Sequence, residues 1–385
     1  MQAYRETVAR RGLRGVGTLA RALREGRARA RAAAEPLPVD GERLRRLLAG
    51  TGAEARLLDI PVDRPPWTPT GLRVEPGEVV GWLAWGSVHL AARLGISAPP
   101  RAVVGARIGA GPALRSTADT FTRVAGDAGE LQLGSLFPGE PREDGTVVTD
   151  RIPYRMMSGR LSAIVVRWAP GTSPREALAG VAARDASGLC AAEAERLASP
   201  PRPPAGWDEH PLAAAAGVYR RSPAGIAAQI REPVGIIRRP AGMALSETLR
   251  LRWAWRLEEL PARLPEDTPL THDHLSVALE FDDGRDLAWQ WSCGLPEGFS
   301  YRCPLDHWRH REAHVVVRSG GDGLGRWLDE ERPVLADHRA ALGGPTPARV
   351  VRAWLISVAA FQGGEGRGEF ARIELVDGGR TLRVL

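Results

Sequence analysis

Short segments in which apolar and polar residues alternate dominate the second half of this chain. The clearest is residues 249–257, LRLRWAWRL, where leucine and tryptophan alternate mainly with arginine. Because successive side chains of a β-strand point to opposite faces, this pattern predicts a strand that buries its tryptophans and exposes its arginines. The inward positions are Leu249, Leu251, Trp253, Trp255 and Leu257, and the outward ones are Arg250, Arg252 and Arg256.

Four later segments, HDHLSVALEF, DLAWQWS, AHVVVRS and EFARIEL, repeat this division. Their inward positions are predicted to be Leu275, Val277, Leu279, Phe281, Leu287, Trp289, Trp291, Val315, Val317, Ala371, Ile373 and Leu375, and Phe370 falls on the opposite face. If the five strands share one sheet, its polar face gathers Arg250, Arg252, Arg256, His272, His274, Glu280, Gln290, His314, Arg318, Arg372 and Glu374. We therefore predict a β-sandwich with one Arg- and His-rich face.

The first half of the chain combines helical and strand-like patterns. Residues 1–58 are predicted to be a basic helical extension, with Val8, Leu13, Val16, Leu19 and Leu23 at helical spacing and a second piece, GERLRRLLAG, ending in glycine. Strand-like runs follow Pro61: WTPTGLRVEPGEVVGWLAWGSV, VVGARIG, GELQLGSLF and SGRLSAIVVRW. They predict an N-terminal sandwich over residues 59–170.

A helical segment and a linker separate the two predicted sandwiches. Residues 171–198 are predicted to be helical, with Ser173 as N-cap and Pro174 at the first helical position. The Pro-rich stretch SPPRPPAG ends at residue 206. We expect a helix plus linker over residues 171–206, and the second sandwich over residues 207–385. The expected fold class is mainly β, with two jelly-roll-like or galactose-binding-like sandwiches.

Charge and composition narrow the functional classes. All 52 basic residues are arginine, and neither lysine nor asparagine occurs, so Schiff-base lysines, the P-loop lysine and N-glycosylation sites are excluded. The net charge is +6, but thirteen arginines precede residue 59. The excess positive charge therefore lies in the extension, which is predicted to dock on a protein partner or on the chain's own sandwich, and nucleic-acid binding is not expected.

The cysteines and the N-terminal residues suggest a compartment. Cys190, Cys293 and Cys303 form no CxxC pair, and reduced thiols are expected, although a bond between Cys293 and Cys303 stays open. The N-terminal sequence lacks the apolar core of a signal peptide, and no apolar run approaches the roughly 20 residues of a membrane span. A cytoplasmic location without membrane binding is predicted.

Residues 60–168 resemble the galactose-binding lectins of the LecA type. The resemblance is carried by WTPTGLRVEPGEVV, ARIG, GELQLG and the final SGRLSAIV, and it implies a jelly-roll-like sandwich that binds sugar through calcium. The lectin loop supplies two asparagines as calcium ligands, whereas Met156 and Met157 stand at those positions. Thioethers do not bind a hard cation, and Asp150 and Tyr154 alone make a poor site, so the calcium site is expected to be lost.

The second half resembles a bacterial family of unknown function, DUF3047. The resemblance is carried by LRWAWRLEELP, HDHLSVALEF, VVVRSG, GRWLDEERPVLAD and EFARIEL, and it implies a sandwich without an assigned activity. The family tends to carry an Asp pair before the HLSV motif, and the resemblance implies that Asp273 is its remnant. The family also tends to carry an Asp-rich late turn, which residues 361–365 do not reproduce.

The predicted polar face suggests an enzyme that binds an anion. His272, His274, His314, Glu280 and Glu374 are the candidate catalytic acids and bases, since histidine titrates near neutral pH. The candidate ligand-binding residues are Arg250, Arg252, Arg256, Arg318, Arg372, Gln290 and Asp273. We expect a cofactor-independent enzyme of bacterial specialised metabolism that eliminates or internally substitutes a sulfated, phosphorylated or carrier-bound group of a small molecule.

Other interpretations stay open at this stage. The polar face is equally compatible with a solvated outer surface, and the chain with a non-catalytic anion-binding or partner-scaffolding protein. A carbohydrate-binding module would use Trp308 and Trp327 as exposed platforms. A metal site would use His272 and His274, but no third ligand is evident, so neither a metal nor another cofactor is expected.

Overall fold

A computed structural model describes residues 39–64, 67–92, 96–136, 146, 154–155, 157–210, 213–231 and 233–385. The apolar positions predicted for the N-terminal helix, Val8 to Leu23, lie outside these residues. The described helices are α1 Gly41–Ala49, α2 Pro100–Val103, α3 Pro174–Ala182, α4 Leu189–Ala198 and α5 Val334–Ala341. None of them combines the length and the apolar composition that crossing a bilayer requires.

The first sandwich consists of two antiparallel sheets. Its strands are β1 Glu54–Ile60, β2 Thr68–Val74, β3 Val79–Ala91, β4 Ile96–Ala98, β5 Val104–Ile108, β6 Leu114–Arg115, β7 Thr120–Val124, β8 Gly129–Ser135 and β9 Ser158–Arg167. One sheet has the order β1-β9-β3-β4 with β7 on β3, and the other β2-β8-β5-β6. The helical prediction is therefore wrong for residues 54–58, which form β1 along β9.

Three helices cover the outside of the first sandwich. Helix α1 buries Leu44 and Leu48 against Ile164 and Val166 of β9, and α3 and α4 complete this apolar cluster. As predicted, Ser173 caps α3, because its hydroxyl accepts a hydrogen bond from the backbone N–H three residues on. The basic piece GERLRRLLAG thus lies against the chain's own sandwich.

The second sandwich pairs an inner sheet with an outer sheet. Its strands are β10 Asp208–Glu209, β11 Tyr219–Arg221, β12 Ile226–Arg231, β13 Val234–Ala244, β14 Arg250–Glu259, β15 His274–Phe281, β16 Asp286–Ser292, β17 Ser300–Arg302, β18 Glu312–Ser319, β19 Leu328–Pro333, β20 Arg349–Val358, β21 Glu365–Asp377 and β22 Arg380–Arg383. The inner sheet has the order β10-β13-β20-β15-β16-β18-β17. The outer sheet has the order β11-β12-β21-β14-β19, with β22 on β21. The fold is mainly β, as predicted.

The predicted inward residues form the core between the inner and outer sheets. Trp253 and Trp255 of β14 pack on Trp289 and Trp291 of β16, with ring centroids 6.4 and 5.7 Å apart. All four indoles are at most 1% exposed. The alternation in the sequence therefore identified the core faces of β14 and β16 correctly.

The prediction of one shared polar face is wrong. Strands β14 and β21 belong to the outer sheet, whereas β15, β16 and β18 belong to the inner sheet. The outer polar positions meet solvent, but the inner sheet turns its second face toward the first sandwich, and Ala278 and Trp354 share a core with Leu72 and Leu133. Alternation within a strand reports its two faces and cannot report which sheet it joins.

A β-bulge alters the predicted faces of β21. The pairing with β14 shifts register between Arg252 and Ala254, opposite Arg372, whose φ of 51° is the only positive value among the described non-glycine residues. Residues on the two sides of the bulge therefore differ in parity. Phe370, predicted to lie on the polar face, is fully buried in the core.

Candidate metal centre

Two strands of the inner sheet bring four potential metal ligands together. His274 begins β15 and His272 lies two residues before it, and Glu312 and His314 lie at the start of β18. One nitrogen or oxygen atom of each side chain lies within 4.8 Å of the others, and all four residues are buried. Strand β16 separates the two strands, and its residue opposite His314 is Ala288, whose small side chain leaves room for the imidazoles.

The hydrogen bonds leave ring nitrogens of this cluster available. Nδ1 of His272 contacts the backbone carbonyl of Glu266 at 2.9 Å, which requires Nδ1 to donate and leaves the lone pair on Nε2, which lies 3.4 Å from the Cys303 thiol. Nδ1 of His274 lies 3.2 Å from the Ser276 hydroxyl. Neither ring nitrogen of His314 has a hydrogen-bond partner among the described residues, although Nε2 contacts Glu312.

The three imidazoles are held in their neutral form. Burial lowers the pKa of His314 to about 3. Burial, with the neighbouring histidines as a second cause, lowers the pKa of both His272 and His274. Neutral imidazole is the form that binds metal ions.

Buried polar groups hold Glu312 beside the imidazoles. Glu312 is the neighbour of Asp286 in the pairing of β16 with β18, and Asp286 accepts a hydrogen bond of 3.0 Å from Nε of Arg311. Burial raises the pKa of Glu312 to about 7, and burial together with the charge of Glu312 raises the pKa of Asp286 well above its usual range. A cation between Glu312 and the histidines would favour the ionised carboxylate.

The cluster fits a divalent transition metal. Four ligand atoms about 2.0–2.2 Å from a tetrahedral ion lie about 3.3–3.6 Å apart, so atoms separated by up to 4.8 Å would have to approach one another by about 1 Å around a bound ion. Three neutral nitrogens and one carboxylate suit zinc, iron, cobalt, nickel or manganese, whereas calcium and magnesium prefer oxygen ligands throughout. A purely structural cluster would leave the buried Nδ1 of His314 without a hydrogen-bond partner among the described residues, at a cost of about 1–3 kcal/mol.

A narrow cavity of about 50 Å³ opens beside the cluster. His272, His274 and Glu312 line one part of it, and Arg115 of the first sandwich lines another. Most of the remaining wall is apolar, formed by Ala213, Val234, Ile236, Leu305, Trp308, Ile356, Val358 and Phe361, with the Cys303 thiol among them. The cavity therefore lies between the two sandwiches, and both contribute to its wall.

A family model matches the part of the chain that contains this site. Residues 206–374 match a family model described as a protein of unknown function, DUF3047. The second sandwich is DUF3047-like. The match confirms the predicted resemblance and includes all four cluster residues, and no curated protein matches the chain.

A search of solved structures found matches at low TM-scores. The EclA N-terminal domain, a PllA-like lectin, is 17% identical at a TM-score of 0.24, covering 30% of this chain and 95% of that one. The xyloglucanase domain of NopAA from Sinorhizobium fredii is 9% identical at 0.29, covering 46% and 94%. A CBM22 tandem from Paenibacillus barcinonensis Xyn10C is 11% identical at 0.21, covering 79% and 80%.

The predicted anion-binding arginines of the DUF3047-like sandwich do not line the cavity. Several pair with carboxylates at or near the surface: Arg252 with Glu331, Arg256 with Glu369 and Glu258, Arg318 with Glu330, and Arg372 with Asp329. Arg250 donates to backbone carbonyls instead. Strand β19 supplies most of these acids, because it lies beside β14 in the outer sheet. The converging anion site predicted from these arginines is therefore wrong.

Two predicted catalytic carboxylates also lie away from the four-residue cluster. Glu374 pairs with Arg383 on the outer sheet. Glu280 lies at the far end of β15, where it accepts hydrogen bonds from Arg352 and from the indole of Trp354. Both are therefore outside the four-residue cluster.

Two further predicted binding residues have structural hydrogen bonds. Asp273 accepts hydrogen bonds from the backbone N–H groups of Phe361 and Gln362, and burial raises its pKa to about 7. Gln290 accepts one from Tyr301, whose ring stacks on His314 at 4.9 Å. Asp273 therefore fixes a loop, while Gln290 and Tyr301 support the cluster from behind.

Sequence reasoning missed Glu312 and Arg115. A signal for Glu312 existed, since EAH at 312–314 repeats the i, i+2 spacing of HDH at 272–274 and places both side chains on one strand face. The interpretation began the strand one residue later and so excluded Glu312. No local signal marks Arg115, because another domain brings it to the cavity.

The structure also shows the positions of the aromatic and sulfur-containing residues that were considered for sugar binding, calcium binding or a disulfide. Trp308 is buried, so it cannot serve as an exposed sugar platform, while Trp327 is 39% exposed. Met157 and Tyr154 lie in the core, and Asp150 and Met156 lie outside the described residues. Cys293 and Cys303 are not joined by a disulfide.

A buried histidine behind the cavity predicts acid sensitivity. His210 packs on Trp354 at 5.0 Å, and burial, followed by the charge of Arg238, lowers its pKa to about 3. Below pH 6.5 His210 binds a proton in the unfolded chain but not in the folded chain. The contribution of His210 to the free energy of unfolding is therefore complete above pH 6.5 and falls as the pH drops toward 3. In the metal-free protein, the free energy of unfolding falls between pH 7.5 and 5. Urea unfolding should show that this fall is about 2 kcal/mol smaller in His210→Leu than in the wild type.

An exposed histidine provides the control for this experiment. His89 on β3 is solvent-exposed, so His89→Leu should keep the pH dependence of the wild type. Equal pH dependence of His210→Leu and the wild type would contradict the assignment.

Proposed function

We propose that this protein is a metal-dependent enzyme in which His272, His274, Glu312 and His314 hold one divalent transition metal ion beside the cavity between the two sandwiches. The observation that carries the proposal is the convergence of four buried ligand atoms within 4.8 Å, with Nδ1 of the His314 imidazole lacking a hydrogen-bond partner among the described residues and its Nε2 in contact with Glu312. Supporting residues orient the ligands, as they do in known metal sites, through Glu266, Asp286 and Arg311.

The metal would act as a Lewis acid toward a small molecule in the cavity. A bound ion polarises a substrate oxygen and stabilises negative charge that develops on it. Elimination or internal substitution of an anionic small molecule, as the sequence suggested, is compatible with this chemistry. The histidines then serve as ligands rather than as the general acids and bases that the sequence suggested, because their lone pairs face the ion.

Metal content tests the proposal directly. The full chain, without a polyhistidine tag and without exposure to chelators, should contain close to one transition metal ion per molecule by elemental mass spectrometry. Metal-free protein should take up one Co²⁺ and develop a visible absorption band. Glu312→Ala should bind at least 100-fold more weakly, because a direct ligand should contribute more than the supporting residues whose loss costs about 10–100-fold.

Glu374→Gln is the matched control. It removes a carboxylate that the sequence also made a catalytic candidate, but one that pairs with Arg383 on the outer sheet. It should bind metal like the wild type. Absence of bound metal, or equal binding by Glu312→Ala and the wild type, would refute the proposal.

Specialised metabolism, a cytoplasmic location and a partner for the N-terminal extension stay predictions. The extension's predicted apolar positions lie outside the described residues. Removal of residues 1–38 with retention of α1 would test the partner: the truncated chain should keep the metal and lose a co-purifying protein.

A further inference from the structure

A half-buried arginine of the first sandwich faces the same cavity as the proposed metal ligands. Arg115 lies on the short edge strand β6, and its Nη2 donates a hydrogen bond of 2.8 Å to the carbonyl of Ala102 in α2. Its Nη1 is shielded from solvent and has no hydrogen-bond partner among the described residues. A buried guanidinium nitrogen without an acceptor is costly, which points to a missing acceptor.

No described carboxylate forms an ion pair with Arg115. Its neighbours include the Ala102 carbonyl and Tyr154. By contrast, Arg101, which is close in sequence, forms an ion pair of 2.6 Å with Asp119. Burial lowers the pKa of Arg115 to about 10, so the side chain is still a cation at neutral pH.

The charges around the cavity favour an anionic occupant. The described lining of the cavity contains one arginine, Arg115, and one carboxylic acid, Glu312. A divalent ion at the cluster would leave the wall with an excess of about two positive charges, surrounded by apolar residues that screen them poorly. A negatively charged ligand would offset this excess.

We infer that Arg115 anchors the carboxylate of a small carboxylic acid whose other end reaches the metal ligands. This inference rests on the proposed function. The planar carboxylate matches the guanidinium, since Nη1 has two N–H donors and Nη2 keeps one. The cavity volume of about 50 Å³ limits the occupant to a few heavy atoms. Arg115 would thus select the substrate, and the first sandwich would complete the site of the second.

Glycolate is a suitable probe because it carries a carboxylate and one further oxygen donor. Its affinity should be measured with the full chain, by the absorption change of the Co²⁺-loaded protein and by calorimetry of the metal-free protein. Arg115→Gln should weaken glycolate binding at least about tenfold, the loss of a charge-assisted hydrogen bond, without changing the metal content. Ethylene glycol, which lacks the carboxylate, should bind equally to both proteins.

Two variants separate anchoring from folding and from general charge. Arg115→Lys keeps the charge but loses the planar fork, so it should also weaken glycolate binding if Arg115→Gln does not fold. Arg107→Gln removes a nearby cation that bonds Gln132 and stacks on Trp67, and it should bind glycolate like the wild type.

Each outcome decides between the two proposals. If the protein binds metal but Arg115→Gln keeps wild-type affinity for glycolate, the inference fails and the metal centre stands. If no metal binds, the metal centre fails, and the metal-free titration decides whether Arg115 is still an anion anchor. If inorganic phosphate binds more tightly than glycolate in an Arg115-dependent way, the carboxylate assignment is overturned.

Discussion

His314→Leu should abolish metal binding and leave the metal-free protein as stable as the wild type, or more stable. The imidazole of His314 is fully buried, and neither ring nitrogen has a hydrogen-bond partner among the described residues. Leucine has a similar volume and carries no buried polar atom, so it removes a cost without creating a large cavity. The metal-loaded wild type should gain about 4 kcal/mol at a metal concentration 1,000 times the dissociation constant, and the variant should gain nothing.

Metal titrations followed by urea unfolding measure both effects in one protein. His89→Leu, which removes an exposed imidazole, should behave like the wild type in both measurements. A His314→Leu protein that is several kcal/mol less stable and still binds metal would show that His314 is a core residue only. The opposite result would identify a residue retained for binding at the expense of stability.

Trp289→Ala should lower the free energy of unfolding by about 3–5 kcal/mol. Trp289 lies between the inner and outer sheets, fully buried, and its indole N–H donates a hydrogen bond of 2.7 Å to Asp337 of α5. The substitution creates a cavity in the centre of the second sandwich and breaks a bond to the helix that covers its end. Equilibrium unfolding in urea measures the loss.

Trp327→Ala is the matched control for this substitution. Trp327 is 39% exposed, and its ring lies 5.6 Å from the guanidinium carbon of Arg256. Its loss should cost about 1 kcal/mol or less. Similar losses for Trp289→Ala and Trp327→Ala would show that the core between the two sheets is not where the structure places it.

Strands β15 and β16 of the inner sheet are buried on both faces, and their sequences therefore did not show which face is core and which holds the site. Strand β15 buries Leu275 and Val277 toward the outer sheet and His274 and Ser276 toward the first sandwich. A strand buried on both faces normally carries apolar residues on both. The polar residues on the second face of β15 are therefore an exception that function explains better than solvation.

The sequence by itself determined the mainly β fold, the strands and their core faces. It also indicated the cap of α3 and the resemblance of residues 206–374 to DUF3047. These features are local: alternation of side chains, capping chemistry and turn residues act over a few neighbours. They could therefore be predicted without knowledge of any distant contact.

Only the tertiary structure decided which polar residues share a site. His272 and His274 meet Glu312 and His314 because β15 and β18 flank β16 in one sheet, and Arg115 joins them from a separate sandwich. The arginines of β14 lie in the other sheet and find carboxylates there. Strand pairing, the bulge at Arg372 and domain packing depend on contacts between residues far apart in the chain, which alternation within one strand does not encode.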